Sequence, residues 1–248
     1  MKISIITVCY NSAKTIEKTF KSVQSQTYKN IEYIVVDGGS EDTTLEIVQK
    51  YKEILSQLVS ESDKGLYDAM NKGIKMATGD VVGILNSDDI FTDDKVLENV
   101  AKFHLENNIE ASVGNIIQFN KEGKTVRKYS AQKWNPEKLK IGFMPAHPAI
   151  FFKRSLFEKY GYYHLDFTIG ADYELITRFF LKHKISWKFS DITTTSMLIG
   201  GLSSSGVRSY QLITKEIKKA LTRNNINFNY SKVRLRGFWK IVGFLNKG

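Results

Sequence analysis

The stretch Val81-Val82-Gly83-Ile84-Leu85-Asn86-Ser87-Asp88-Asp89 passes from an apolar run directly into two adjacent carboxylates. The apolar run predicts a buried strand, and open α/β sheets bind ligands at the carboxyl ends of such strands. Hard divalent cations prefer carboxylate oxygens, so a cation and a phosphate-bearing substrate are indicated at this edge. Because consecutive side chains at a strand end point in opposite directions, Asp88 and Asp89 need not share one ion. A helix cap or a solvated turn is the structural alternative for the pair.

Strands alternate with helices through the first 90 residues. Apolar runs predict further strands at 3–9, 31–36 and 58–59, and apolar residues at helical spacing predict helices at 16–23, 45–55 and 67–77. This order predicts an α/β fold with a mostly parallel sheet and helices on both faces. Farther along the chain we expect a helix at 95–106 capped by Asp93-Asp94, a hairpin around 120–124, strands at 149–152, 185–189 and 193–198, and a helix at 172–183.

Length and composition indicate an ordinary globular protein. The chain has 248 residues, with 42% hydrophobic and 25% charged residues, which suits one large α/β domain or two small ones. The one cysteine, Cys9, excludes an intrachain disulfide and is interpreted as a buried hydrophobe. A signal-length apolar stretch is absent, as is a run of about 20 apolar residues that would span a membrane. These features predict a cytoplasmic protein, with peripheral contact at the inner face of the plasma membrane left open.

The positive charge is concentrated near the carboxyl terminus. Residues 206–248 contain ten Lys and Arg residues and one acid, Glu216, so +9 of the net charge of +10 lies there. Cations such as Arg234, Arg236 and Lys240 alternate with apolar residues such as Leu235 and Trp239. This pattern predicts an amphipathic helical tail that lies on an anionic membrane, or alternatively a solvated helix that packs on the domain or on a partner.

Polar residues follow the first two predicted strands. Asp37-Gly38-Gly39-Ser40 ends the second strand, where an acid can accept from a ribose hydroxyl or a base N–H. Tyr10 and Asn11 end the first strand, where Tyr10 can stack on a nucleobase and Asn11 can hold a turn. We therefore expect the ends of the first, second and fourth strands to converge in one crevice. The Gly-x-Gly-x-x-Gly and Walker phosphate-loop patterns are absent, and no His/Cys cluster indicates zinc.

Five blocks of sequence occur in the order and at the spacing typical of one enzyme family. They are Thr7-Val8-Cys9-Tyr10-Asn11, Ser22-Val23-Gln24-Ser25-Gln26-Thr27-Tyr28, Glu32 to Thr43 with its Asp37-Gly38-Gly39-Ser40, Asn71-Lys72-Gly73-Ile74 with Ala77-Thr78-Gly79-Asp80, and Asn86-Ser87-Asp88-Asp89. Over residues 2–205 the chain resembles family 2 glycosyltransferases of the GT-A fold, a Rossmann-like sheet that binds nucleotide-diphospho-sugars. The segment Asp63-Lys64-Gly65-Leu66-Tyr67 with Asp68-Ala69-Met70-Asn71 resembles the bacterial branch that builds surface polysaccharides.

The resemblance implies roles for residues on the donor side. Tyr10 and Asp37 would contact the nucleotide base, with Thr7, Val8 and Asn11 beside them. The sugar-nucleotide cleft would be lined by Asp63, Gly65 and Asn71, and the acidic motif Asn86, Ser87, Asp88 and Asp89 would bind ribose and, through Asp88 and Asp89, a diphosphate-bound Mg²⁺ or Mn²⁺. Many relatives carry a second acid where Gly38 stands, and that acid often reads uracil. Base recognition is therefore left open between Asp37 and Asp63.

The resemblance also implies an acceptor side. In Gly170-Ala171-Asp172-Tyr173-Glu174-Leu175, Asp172 would act as the catalytic base, with Glu174 as the fallback. A sugar hydroxyl must lose its proton as it attacks the anomeric carbon, and a carboxylate can take that proton. His147 would contact the diphosphate or the acceptor, with a structural histidine as the alternative. Paired glycines in Gly200-Gly201-Leu202-Ser203 predict a loop over the site.

The resulting hypothesis is an inverting, metal-dependent glycosyltransferase. Residues 1–205 would form the catalytic domain, with a nucleotide-sugar half at 1–110 and an acceptor half at 111–205, followed by the basic tail at 206–248. The donor would be a UDP-sugar, and the acceptor a glycan or polyprenyl-linked glycan. One alternative is a sugar-nucleotide nucleotidyltransferase, which needs a Gly-rich triphosphate loop that Cys9 to Lys14 does not resemble. The other is a basic nucleic-acid binder, which the confinement of charge to the tail disfavours.

Overall fold

The computed structural model describes residues 1–120, 123–199 and 207–237. Two expectations concern residues outside this part of the chain. They are the glycine loop at 200–203 and the apolar residues of the tail from Phe238 onward.

One mixed sheet contains the nine strands of the described residues. In chain order the strands are β1 Ile3–Cys9, β2 Ile31–Asp37, β3 Gln57–Ser60, β4 Val81–Ile84, β5 Asp89–Phe91, β6 Ala111–Phe119, β7 Thr125–Tyr129, β8 Ile150–Lys153 and β9 Trp187–Leu198. Their order across the sheet is β3-β2-β1-β4-β8-β6-β9-β5, and β7 pairs with β6. β1 runs parallel to β2 and β4, and β2 runs parallel to β3, so all four present their carboxyl ends at one edge. β8, β5 and β7 are antiparallel to their partners.

Eight α-helices connect or flank these strands in the described chain. They are α1 Ile16–Gln24, α2 Thr44–Lys50, α3 Leu66–Met76, α4 Val96–Asn107, α5 Ser155–Tyr160, α6 Ala171–Thr177, α7 Val207–Arg223 and α8 Tyr230–Arg234. A π-helical segment, Arg178–Lys182, continues α6. Short 3-10 segments occupy Lys52–Ile54, Pro136–Ile141 and His147–Ala149.

Helices cover both faces of the parallel strands because side chains of β1 alternate between the two faces. Ile3 and Ile5 belong to a core cluster with Phe20 of α1 and Leu97 of α4. Ile6 faces α3 on the other side, where a Cβ atom on Gly73 would lie 2.4 Å from Ile6 Cγ2. Glycine at this position therefore lets the helix pack directly against the sheet, and the predicted two-sided arrangement is confirmed.

Three differences separate the structure from the predicted elements. The two strands expected at 185–189 and 193–198 form one strand, β9, which follows β6 through register shifts and has Asp191 at φ 49°. β5 and α5 were not predicted because three and six residues are too few for a periodic pattern. Asp93 Oδ1 accepts from the Lys95 N–H at 2.8 Å, directly before α4, but Lys95 is the helix N-cap and has no side-chain cap bond.

The chain divides into two compact units that are interleaved in sequence. Unit 1 comprises 1–132, 145–163 and 185–199, and contains the whole sheet together with α1 to α5. Unit 2 comprises 133–144, 164–184 and 200–248, and its described part contains α6, α7 and α8. This division differs from the boundary predicted at 205/206, because α6 contacts α7 within unit 2.

Candidate active site

Three loops meet at the carboxyl edge of the parallel strands in unit 1. Asn11, at φ 47° after β1, donates its backbone N–H to Ser40 Oγ at 2.8 Å and accepts the Glu41 N–H on Oδ1 at 2.9 Å. Ser12 and Ser87 share a hydrogen bond between their hydroxyl groups at 2.8 Å. The ends of β1, β2 and β4 therefore converge as predicted, and Asn11 is a turn residue that ties two of them together.

Asp37 lies at the centre of this junction and is completely buried. One carboxylate oxygen accepts from the backbone N–H groups of Gly39 and Ser40 and from the Ser60 hydroxyl, at 3.1, 3.0 and 2.8 Å. The other accepts from the Ser40 hydroxyl at 2.5 Å and from Cys9 Sγ at 3.6 Å. Burial opposes ionisation, but the hydrogen bonds from Ser40, Ser60 and Cys9 outweigh it and lower the pKa of Asp37. Asp37 thus holds the glycine turn in place.

Cys9 and its two predecessors on β1 face the protein interior. Thr7 is buried and shares a hydrogen bond with the Tyr33 hydroxyl at 3.0 Å, and Val8 is 3% exposed. Cys9 is buried in the core, as expected for a packing residue, and burial, followed by the charge of Asp37, raises the pKa of its thiol. Tyr10, the next residue, is 60% exposed and presents an aromatic ring at the edge of the sheet. Of this segment, Tyr10 is the residue that a ligand can reach.

Asp63 follows β3 and occupies the space beside Gly38. Its Oδ1 accepts the Gly65 N–H at 2.7 Å, and Gly65 has φ 107°, a conformation that favours glycine. A Cβ atom built on Gly38 would lie 2.5 Å from Asp63 Oδ2. The Asp63 carboxylate therefore lies where a side chain at position 38 would begin.

The acid pair divides between solvent and core, as alternation at a strand end predicts. Asp88 is exposed in the turn between β4 and β5, whereas Asp89 begins β5 and is 1% exposed. Asn86 Nδ2 donates to Asp89 Oδ2 at 3.0 Å. Burial, and then the charge of Asp88, raises the pKa of Asp89 to about 8, although the bond from Asn86 opposes the change. Asp88 is thus the member of the pair that can reach a ligand.

Oxygen atoms of the turn from Asn86 to Asp88 are of the type that a hard cation binds. Asn86 Oδ1 is buried and accepts no hydrogen bond within the described residues. A neutral amide oxygen and an exposed carboxylate, two residues apart in the sequence, are ligand types that Mg²⁺ and Mn²⁺ use. No group of three His, Cys, Asp or Glu side chains in the described ranges is arranged to hold a metal on its own. The arrangement therefore requires phosphate oxygens or water to complete a coordination shell.

Asn71 and His147 both contact Tyr163 in unit 1. The Asn71 amide donates to the Tyr163 carbonyl at 2.8 Å and accepts its N–H at 2.9 Å, and Asn71 is buried. His147 Nε2 lies 2.5 Å from the Tyr163 hydroxyl, and desolvation lowers the pKa of His147 to about 4. The contact with Tyr163 favours a structural role for His147 over a role in ligand binding. The two bonds of Asn71 fix α3 to the segment that ends at Tyr163.

Unit 2 places Asp172 in the first turn of α6, where its Oδ1 accepts the Tyr173 N–H at 2.7 Å. Glu174 is fully buried and is bound to Arg178 at 2.9 Å and to Asn224 at 3.0 Å. These bonds hold Glu174 inside the unit, whereas Asp172 is only half-buried. Of the two acids predicted for the acceptor side, Asp172 is the more accessible.

Two residues that hold candidate site residues or their segments in place were not predicted. Glu216 of α7 accepts the backbone N–H groups of Thr168, Ile169 and Gly170 at 2.6, 2.9 and 2.7 Å, directly before α6. It is the one acid of residues 206–248, and an isolated acid in a basic segment is a sequence signal for a structural role. Ser60, which binds Asp37 from β3, follows an ordinary apolar pair and carries no such signal.

The described part of the tail packs within unit 2. The Arg236 guanidinium is buried, bonds to Thr214 and the carbonyls of Val233 and Tyr210, and lies over the Tyr210 ring at 4.2 Å. Arg236 is therefore not a surface cation, contrary to its expected place among the membrane-facing residues. Within the described ranges, no helix combines the length and apolar character needed to cross a bilayer.

Comparisons with known proteins point to one enzyme family. The family model described as "Glycosyl transferase family 2" matches residues 4–161. An uncharacterized glycosyltransferase of Mycobacterium tuberculosis is 34% identical over 182 residues, which cover 71% of this chain and 68% of the relative. A PGL/p-HBAD biosynthesis glycosyltransferase of the same species is 29% identical over 226 residues, covering 88% of this chain and 83% of the relative.

Solved structures show the same fold. S. aureus TarS in complex with UDP-GlcNAc superposes with a TM-score of 0.72 at 22% identity, covering 100% of this chain and 76% of that one. A mannosyltransferase of Pyrobaculum calidifontis in complex with GDP-Man and Mn²⁺ gives a TM-score of 0.66 at 20% identity, covering 95% of this chain and 68% of that one.

Proposed function

The chain belongs to glycosyl transferase family 2 and has the GT-A fold, and from that premise we propose that it transfers a sugar from a nucleotide-diphospho-sugar, with inversion, to a hydroxyl group of a glycan or polyprenyl-linked acceptor. The observation that carries the proposal is the junction of β1, β2 and β4. It combines an exposed aromatic ring at Tyr10 with an accessible carboxylate at Asp88. The family assignment also favours a glycosyltransferase over a nucleotidyltransferase or a nucleic-acid binder.

The donor is held by its nucleotide and its diphosphate. The exposed Tyr10 ring offers a stacking face to the base. Asp88 and Asn86 Oδ1 would hold Mg²⁺ or Mn²⁺, which when bound neutralises the charge of the departing nucleoside diphosphate. Relatives of the fold support this donor class, since TarS binds UDP-GlcNAc and the mannosyltransferase binds GDP-Man with Mn²⁺.

The chemical step needs one base. The Asp172 carboxylate takes the proton of the acceptor hydroxyl while that oxygen attacks the anomeric carbon. The bond from the anomeric carbon to the phosphate oxygen breaks in the same displacement, and the nucleoside diphosphate leaves with the electron pair. A single displacement inverts the anomeric configuration, and no covalent intermediate on the enzyme is formed.

The acceptor proposal rests on resemblance and on surface charge. A relative acts in PGL/p-HBAD biosynthesis, and the donor-side blocks resemble the branch that builds bacterial surface polysaccharides. Arg208, Lys215 and Lys218 are exposed at helical spacing on α7, and Arg234 is exposed on α8. This face would bind anionic lipid at the inner side of the plasma membrane, where a polyprenyl-linked acceptor is met.

Donor turnover and binding test the proposal together. A panel of UDP-, GDP- and dTDP-sugars with Mn²⁺ should give a thermal shift for one nucleotide class, and EDTA should remove turnover. Asp172→Asn should lower kcat about 10²-fold or more while donor affinity stays within a factor of two. Glu137→Gln, which neutralises an exposed acid of unit 2, is the matched control. Full activity of Asp172→Asn would exclude Asp172 as the base.

Sedimentation with lipid vesicles tests the proposed membrane contact. The protein should sediment with vesicles that contain anionic lipid but not with neutral vesicles, and 0.5 M salt should release it, because exposed charges are screened. Replacing Arg208, Lys215 and Lys218 by Gln should abolish sedimentation. Substitution of three exposed lysines of unit 1, Lys14, Lys18 and Lys50, should not.

A further inference from the structure

Within the proposed nucleotide-sugar site, we infer that Asp63 is the carboxylate that recognises the nucleobase, in place of a side chain at position 38, and that it selects uracil or thymine. The inference rests on the proposed function, because it concerns the base of the same donor. It resolves the choice that the sequence leaves between Asp37 and Asp63.

Asp37 is excluded by its own hydrogen bonds. Its two oxygens accept from two backbone N–H groups, two hydroxyl groups and one thiol of the surrounding chain. It is completely buried, so a base would have to displace these donors. A carboxylate satisfied by its own loop gains nothing from a ligand that replaces one of those bonds.

Asp63 has the opposite properties. It is half-buried, and within the described ranges only its Oδ1 accepts a hydrogen bond, from the Gly65 N–H at 2.7 Å. Its Oδ2 lies 2.5 Å from the position of a Cβ on Gly38, and its Cγ lies 3.2 Å from that position. Asp63 therefore brings a carboxylate from the loop after β3 to the end of β2. The absence of a side chain at Gly38 is what makes room for it.

One open oxygen matches one donor. The imide edge of uracil or thymine offers a single N–H, at N3, between two carbonyl groups. Guanine offers two adjacent N–H donors, at N1 and N2, and cytosine presents an acceptor at N3 beside its N4 amino donor. Asp63 Oδ2 accepts no hydrogen bond within the described residues, so it is the oxygen left for the single N3–H of the imide edge.

Nucleotide titration of the full-length protein tests this assignment. Isothermal titration with Mn²⁺ present would use UDP, dTDP, GDP, CDP and N3-methyl-UDP as ligands. Wild type should bind UDP or dTDP most tightly, and N3-methylation should weaken UDP at least tenfold because it removes the donor. Asp63→Asn should weaken UDP at least tenfold and strengthen CDP, since the Asn amide can donate to cytosine N3. Glu61→Gln removes the same charge from an exposed side chain two residues away, and should leave all affinities unchanged.

Moving the carboxylate provides a second test that does not depend on the stability of one variant. Gly38 has no positive φ, so its backbone accepts a side chain, and the obstacle is Asp63 itself. Gly38→Asp should lose UDP binding, and Gly38→Asp with Asp63→Ala should regain both binding and the penalty for N3-methylation.

The outcomes separate the inference from the proposed function. Equal affinity of wild type for UDP and N3-methyl-UDP, or unchanged UDP affinity in Asp63→Asn, overturns the role of Asp63 while the donor proposal stands. A wild-type protein that binds none of the five nucleotides overturns the proposed function and the inference with it.

Discussion

At the scale of single residues, three acids of the site have three different surroundings. Asp37 is saturated by donors of its own loop, Asp89 is buried beside Asn86, and Asp88 is exposed. The sequence predicts that these acids gather at one edge of the sheet, because strand ends are recognisable from apolar runs. It does not predict which carboxylate is open, since that depends on donors such as Ser60, which is distant in sequence from Asp37.

Asp37→Asn should destabilise the protein because it replaces a carboxylate oxygen, which accepts hydrogen bonds, by an N–H₂ group that faces other donors. We expect the free energy of unfolding to fall by about 2–3 kcal/mol, as for a buried charged group that loses its hydrogen bonds. Urea unfolding measures the change. Asp93→Asn, which affects one hydrogen bond at an exposed site, should cost less than about 1 kcal/mol. An equally small effect at Asp37 would show that its bonds contribute little.

At the scale of elements, the predictions succeed where the pattern is local. β1, α1, α3 and α4 lie within one or two residues of their predicted bounds, because each contains enough apolar residues at regular spacing. β5 has three residues and is defined by its pairing with β9, which lies about a hundred residues away along the chain. A pairing of this kind leaves no periodic signal in the shorter strand.

α7 carries the clearest element-scale prediction. Its Glu216 carboxylate accepts three consecutive N–H groups before α6, the helix that contains Asp172. Glu216→Gln replaces one acceptor oxygen by a donor, so the free energy of unfolding should fall by about 2–4 kcal/mol. If the loop positions Asp172, kcat should also fall while donor KM is unchanged.

Gln211→Ala, at an exposed position of α7, is the control for the Glu216 variant and should change neither stability nor kcat. A Glu216→Gln protein with normal kcat and reduced stability would limit this carboxylate to a structural role.

At the scale of the whole molecule, buried histidine makes stability depend on pH. His104 is 3% exposed, its Nε2 contacts Ser112 Oγ at 3.0 Å, and burial lowers its pKa to about 4 from the ordinary 6.5. In the unfolded chain His104 becomes protonated below about pH 6.5, whereas in the folded chain it becomes protonated only near pH 4. Stability is therefore lost as the pH falls through this window.

His104→Gln should flatten that dependence. Between pH 7 and pH 4.5 the wild type should lose about 2 kcal/mol more than the variant, whatever packing cost the variant shows at pH 7. Urea unfolding at the two pH values provides the measurement, with each protein at pH 7 as its own reference. Parallel losses in the two proteins would assign the acid sensitivity to other groups.

The interleaving of the two units has a consequence for synthesis on the ribosome. Once residue 199 has emerged, the nascent chain contains every strand of the sheet, so unit 1 can fold while translation continues. The segment that contains Asp172 has emerged by then as well, whereas Glu216 is still inside the exit tunnel. A ribosome that stalls between these two points exposes a folded sheet together with an Asp172 segment that lacks the three hydrogen bonds to Glu216.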